Sequence, residues 1–438
     1  MTPFMLTLAV LAHVLLAAHA LRRVDWALCA GLAALPLAYV TRLGAVRLVA
    51  AAVLLLGAAQ WVSTGLDFVQ LRQALGEPWL RLALILSAVC GVTLASGLWL
   101  LGARAQALFH RGREVEIPQA VAFLLSAGLL VLARSKASAP VLLADRFLPG
   151  SGWLEVLLLA AYAGWLAGRI LDPQEHKRLR PRIWALFSAL FFGQLALGLA
   201  GFTDLLMTGR LHLPVPALIA AGPIFRGGGL FMPILFASTV LLVGPAWCSH
   251  LCYIGAWDDA CSRLGPKPPH ALSQRWSIGG RLTALALACG GALALRLLGA
   301  PVLVAVWLAA GFGLLGVGVM LLASRRMGTM AHCTAFCPIG LAGNLLGRFM
   351  PWRMGISLDA CTRCGSCARA CRYSALTPLQ IEAGKPGLSC TLCGDCVGAC
   401  PHDAMHYRFP GLSSATARAA FLTLVAALHA VFLGVARI

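Results

Sequence analysis

Long uncharged apolar runs alternate with short polar connections along this chain, and that pattern decides its class before any motif is read. A helix needs about 20 apolar residues to cross a hydrocarbon core ~30 Å thick. Stretches near that length run Phe4–Ala20, Trp26–Val40, Leu48–Leu66, Leu82–Leu101, Ala120–Ala133 and Trp153–Ala167. Further stretches are Ile183–Met207, Leu230–Val243, Leu282–Leu298, Val302–Ala323 and Ala419–Val435. The spacing predicts an all-α polytopic membrane protein of about 11 transmembrane helices. The first apolar segment shows no small-residue cleavage site and reads as a retained span.

Composition agrees with that class. Of 438 residues, 60% are hydrophobic and 12% charged, against about 45–50% and about 25% in soluble domains. A net charge of +19 would raise nucleic acid as a partner in a soluble chain. Here the basic residues lie mainly between the apolar runs, where membrane topology accounts for them, so no nucleic-acid partner is expected. Lys177, Arg178, Arg180 and Arg182 form one cluster; Arg263, Lys267, Arg275 and Arg281 form another; Arg325 and Arg326 close the tenth run. With alternating spans these fall on one side, which the positive-inside rule makes the cytoplasmic face of an inner (cytoplasmic) membrane. Arg22 and Arg23 would face outward in the same count.

The only sizeable polar section, Pro351–Gly411, is too short to bury a self-sufficient core, and mini-domains of that size need metal or disulfides. Eight of the sixteen cysteines fall inside it. They form two runs, Cys361-Thr-Arg-Cys364-Gly-Ser-Cys367-Ala-Arg-Ala-Cys371 and Cys390-Thr-Leu-Cys393-Gly-Asp-Cys396-Val-Gly-Ala-Cys400-Pro401. Three cysteines at this spacing wrap one [4Fe–4S] cubane, and the fourth points away to the other. The expected ligand sets are therefore Cys361, Cys364, Cys367 and Cys400 for one cluster, and Cys390, Cys393, Cys396 and Cys371 for the second. Zinc also binds Cys-x-x-Cys pairs, but a zinc site gives no reason for the third cysteine step and the terminal cysteine of each run. Arg372 stands where proline usually follows the fourth cysteine, and only the shape of the turn is expected to depend on it. The fold class is thus a membrane protein with a small cytoplasmic bacterial-ferredoxin-like 2×[4Fe–4S] insertion. Its expected parts are residues 1–178, with about six spans; 179–350, a membrane core; 351–411, the cluster domain; and 412–438, a last helix.

A second repeat lies upstream. Cys248-Ser-His-Leu-Cys252-Tyr-Ile-Gly matches Cys333-Thr-Ala-Phe-Cys337-Pro-Ile-Gly, and each copy follows an apolar span. Cysteines at i and i+4 share a helix face, so four soft ligands can converge at the membrane boundary. The residues leave open a further Fe–S cluster, a copper or zinc ion, or a redox dithiol, with His250 and His332 as possible nitrogen donors. Cys29, Cys90, Cys261 and Cys289 read as buried thiols that act as small hydrophobes.

Paired Cys-x-x-x-Cys elements after spans, followed by two Cys-x-x-Cys-x-x-Cys-x-x-x-Cys runs, resemble the NapH/MauN-type membrane ferredoxins and the C-terminal half of NosR proteins. The likeness covers roughly residues 179–410. It departs at Tyr253, where proline is expected after Cys252, and in the six spans before the core and the one after it. It implies a quinol dehydrogenase component: a membrane-bound carrier passing electrons between the quinone pool and a redox partner protein. The alternative is an assembly factor whose clusters reduce a metal or disulfide while a partner enzyme matures.

Other polar residues carry weaker expectations. His212 and Asp204, near Arg210 and Arg226, are candidates for a quinone headgroup, although a water-facing loop is the simpler reading. Glu155 lies within a span, close to its end. His13, His19 and His429 are haem-ligand candidates, but His13 and His19 are six apart and do not share a helix face. Asp258 and Asp259 are expected to form a solvated acidic patch. Catalytic residues are not identifiable.

Overall fold

The computed structural model describes residues 2–137, 139–206, 213–266 and 268–435. Ten of its helices are long and apolar enough to cross a membrane: Pro3–Arg22, Gly44–Ala74, Leu80–Leu101, Arg113–Lys136, Gly152–Ile170, Pro173–Leu199, Phe231–Leu251, Gln274–Leu297, Val302–Met327 and Ser414–Val435. The eleventh expected span, Trp26–Val40, is not among them. It is a nine-residue α-helix, Trp26–Ala34, followed by a seven-residue 3-10 turn, Leu35–Thr41. Pro36 lacks the N–H that an α-helix would need at that point.

The chain divides into two compact units, residues 1–128 with 148–168, and 129–147 with 169–438. The first unit packs through small side chains. Ala9, Ala12, Ala50 and Ala51 are fully buried, which lets backbones approach closely where lipid gives no hydrophobic drive to helix association. His13 is buried there, with Nδ1 2.8 Å from the Ala9 carbonyl and the ring edge-on to Tyr39. His19 instead lies against Trp61, and no second histidine faces either ring among the described residues.

The same unit buries an ion pair. Arg47 donates to Glu116 at 2.9 Å and to the Leu100 carbonyl at 2.7 Å. Both side chains are nearly inaccessible, at 4% and 7%. Breaking one side of such a pair costs about 3–5 kcal/mol, whereas a well-packed apolar replacement of both is often neutral. Glu116→Leu is therefore expected to lower stability in detergent by about 3 kcal/mol or more. Combining it with Arg47→Met should recover most of that loss in the same thermal unfolding assay.

The second unit holds both cysteine-rich regions. Strands Arg353–Ile356 and Met405–Arg408 pair antiparallel, Arg353 opposite Arg408 and Ile356 opposite Met405, and tie the ends of the polar segment together. Tyr407 and Trp352 lie against Phe421 of the Ser414–Val435 helix, with ring centroids 5.0 and 5.3 Å apart. Trp352 also donates to the Leu242 carbonyl at 2.9 Å. The segment that sequence length alone could not stabilise thus borrows its apolar core from the helices beneath it.

Candidate metal centres

Each ferredoxin-like run wraps a cavity. Cys361, Cys364, Cys367 and Cys400 line one. Cys371, Cys390, Cys393 and Cys396 line another. The two loops share a backbone pattern, with positive φ at Arg363 and Gly365 in one and at Leu392 and Gly394 in the other. Alternation of this kind turns successive amides into a concavity. At position 394 glycine is required twice, since a Cβ would also lie 2.7 Å from Cε1 of His176. Among the described residues no three His, Cys, Asp or Glu side chains converge closely enough for a single metal ion. A cubane holds its thiolates farther apart than one ion does, so four cysteines spread around one cavity fit a cluster better than zinc.

The two cavities differ in exposure. Thr362, Arg363 and Cys364 of the first loop are exposed, while Thr391, Leu392, Gly394 and Asp395 of the second are buried. Burial pushes the Cys390 thiol up to about 12, and hydrogen bonds from Ser366 hold the Cys364 thiol below its ordinary value.

The second loop is buried because the membrane helices clamp it. Arg180, fully buried in the Pro173–Leu199 helix, donates to both carboxylate oxygens of Asp395 at 2.9 and 2.7 Å and to Asp259 at 3.2 Å. Ser249 donates to the Thr391 carbonyl at 2.9 Å, and Tyr373 to the Cys248 carbonyl at 3.3 Å. Arg372 donates to the carbonyls of Ser262 and Gly328 at 2.8 and 3.1 Å. The arginine in place of proline therefore staples the first run to the core, a role its sequence position did not disclose.

The upstream repeat forms a third site. Trp247–Leu251 and His332–Phe336 are π-helical turns, each followed by an extended cysteine; Cys337 caps the nine-residue helix Pro338–Leu346, while Tyr253 and Ile254 separate Cys252 from the nine-residue helix Gly255–Arg263. Cys248, Cys252 and Cys337 are buried and Cys333 is half-buried. A buried apolar cluster of Trp184, Ala256, Met330 and Tyr373 packs against Cys333 of this repeat and against Cys371 and Cys393 of the second cavity. Trp184 Nε1 donates to the Cys252 carbonyl at 2.6 Å.

Several expectations change here. Asp258 and Asp259 are not a solvated patch: both are buried. Asp259 pairs with Arg180 and Arg263, and Asp258 accepts from Ser324 Oγ at 2.5 Å and from the Cys333 amide at 2.9 Å. Burial pushes the Asp258 carboxyl up to about 6. Cys29, Cys90, Cys261 and Cys289 are half-buried rather than buried. His250 and His332 are buried, and Nδ1 of His250 lies 3.0 Å from Ser249 Oγ. Asp204 is exposed in a 3-10 turn, and Arg226 ends the short helix Leu218–Arg226. Arg210 and His212 lie outside the described residues. Glu155 sits in the first turn of its helix, and His429 is buried against Phe187.

Two family models match the chain, both described as a 4Fe-4S binding domain. One covers residues 225–270 and 297–357, which include both Cys-x-x-x-Cys elements, and the other covers 354–377, the first ferredoxin-like run. No curated protein and no solved structure matches. Ten apolar helices and 4Fe-4S binding domains make this chain an iron–sulfur protein of multi-pass membrane type with an electron-transfer role.

Proposed function

We propose that the chain passes electrons between the quinone pool and a redox partner protein through two [4Fe–4S] clusters. Cys361, Cys364, Cys367 and Cys400 would hold one, and Cys390, Cys393, Cys396 and Cys371 the other. The observation that carries this reading is the gradient of exposure between the cavities. The first loop is open to a partner arriving from water, while the second is pressed against the membrane core. Each cluster, when bound, supplies single-electron transfer and has no open position for other chemistry. The residues around it hold it in place and exclude water on one side only.

Charge supports a cytoplasmic position for the polar segment. Counting crossings within the second unit, the connection that carries Arg263 falls on the same side as that segment. The positive-inside rule assigns that side to the cytoplasm.

A quinol releases two electrons and two protons, so one-electron carriers must take its electrons in turn. Anaerobic EPR of the purified protein, treated separately with a menaquinol analogue and with dithionite, tests the direction. Reduced-cluster signals after quinol alone are expected. Reduction by dithionite only, followed by reoxidation with added quinone, would reverse the flow. Indifference to quinone in both directions would sink the quinone link and favour the assembly role.

A further inference from the structure

The two Cys-x-x-x-Cys turns pack together: a Cβ on Gly343, in the helix after Cys337, would lie 3.6 Å from Cys248 Sγ. Cys337 caps the helix Pro338–Leu346, and Cys252 lies three residues before the helix Gly255–Arg263. Helix N-termini carry partial positive charge and favour thiolate. The glycine in each copy permits this close turn, since a Cβ would lie 3.0 Å from the Cys248 carbonyl at Gly255 and 2.9 Å from the Cys333 carbonyl at Gly340.

A full positive charge faces the same thiols. Arg281, on the Gln274–Leu297 helix, is 1% exposed. Its Nε and Nη2 are held by the carbonyl and hydroxyl of Ser277, both at 3.0 Å, while Nη1 is buried without a hydrogen-bond partner. Ser277 is fixed in turn by donating to the Thr334 carbonyl at 2.5 Å, inside the second Cys-x-x-x-Cys turn. The guanidinium lies within electrostatic reach of Cys248, Cys333 and Cys337. Asp258, the acid nearest these thiols, has both oxygens engaged by Ser324 and the Cys333 amide. A buried cation with a free donor calls for an acceptor, and neutral thiols are weak ones.

We propose that Cys248, Cys252, Cys333 and Cys337 hold a third iron–sulfur cluster, and that Arg281 is its fixed counter-charge, with Nη1 donating to the cluster. This deepens the electron-transfer reading, resting on its iron–sulfur chemistry and not on its quinone. Arg281 lies in residues 271–296, the stretch that the matching family model leaves out. It is a positioning residue: it ligates no iron, and its charge favours the state with one more electron. Reduction adds one electron and no proton, so a permanent cation compensates the added charge.

The test is metal and sulfide analysis with EPR redox titration of the full chain. Wild type should carry about twelve irons, and the double variant Cys248→Ser/Cys333→Ser about eight, as three and two cubanes require. The two ferredoxin signals should persist in that variant. Unchanged iron in it, or zinc or copper in place of the lost iron, would overturn the third cluster while leaving the two-cluster reading standing. Arg281→Gln should keep the iron but shift the third signal to lower potential by about tenfold in its reduction equilibrium, ~59 mV for one electron. Arg281→Lys, which keeps the charge, should stay near wild type and guards against a folding failure of the glutamine variant. A third signal whose potential is the same with glutamine and with lysine at 281 would remove Arg281 from the proposal.

Discussion

Replacing Arg180 with alanine is expected to cost about 3–5 kcal/mol, the cost of breaking a buried ion pair from one side, and to release the second cysteine loop. Arg180 has no exposed surface and bridges three parts of the chain: Asp395 in the loop, Asp259 after the first Cys-x-x-x-Cys element, and the Ser249 carbonyl. Without it the ion pair left to Asp395 among the described residues is Arg263, at 3.8 Å. Against burial, Arg180 and Arg263 hold the Asp259 carboxyl below its usual range. That contribution is present above the unfolded carboxyl value near pH 4 and fades as acid protonates the folded group. The alanine variant should therefore lose stability most at neutral pH and differ less from wild type in acid. Thermal unfolding in detergent at pH 7 and well below pH 4 reads this difference, and hydrogen exchange at residues 390–396 reads the release of the loop. Retained protection of that loop at pH 7 would mean that Ser249 and Tyr373 suffice to hold it. An Arg180→Met/Asp395→Leu double variant should regain much of the loss, because the cost lies in stranding a charge rather than in lacking a pair.

Arg180 also marks where sequence reading stops. The apolar runs disclosed ten helices because lipid allows few other solutions for such segments. They misjudged Trp26–Val40 because hydropathy does not register a proline's missing donor. The cysteine runs were legible because cluster ligation fixes local spacing. Arg180 and Arg281 were counted as topology charges, and charge patterning gives no other signal for them. Their partners are distant in sequence, with 215 positions between Arg180 and Asp395. Asp258 and Asp259 failed for the same reason: an acidic pair in a polar stretch looks solvated until helices close over it. Arg372 was read as an absent proline, and only packing reveals the carbonyls that it reaches. The Cys-x-x-x-Cys repeat could be recognised from its copies, but its surrounding charge could not.

Serine at Cys393 and serine at Cys364 are expected to fail in different ways. Cys393 belongs to the buried loop beside the membrane core, and Cys364 is the exposed cysteine of the outer loop. If electrons enter from the membrane side, Cys393→Ser should abolish reduction of the outer cluster by quinol, leaving dithionite able to reduce it directly. Cys364→Ser should spare quinol reduction of the inner cluster and lose transfer to a water-soluble one-electron acceptor. Stopped-flow bleaching of the cluster absorbance with quinol, followed by mixing with an acceptor dye, separates the two steps. Loss of both steps in Cys364→Ser, with its inner-cluster EPR signal intact, would contradict the inner-to-outer order. Equal rates from quinol in Cys393→Ser and wild type would mean that electrons reach the outer cluster without the buried loop. The buried contacts through Trp184 and Tyr373 would then be structural.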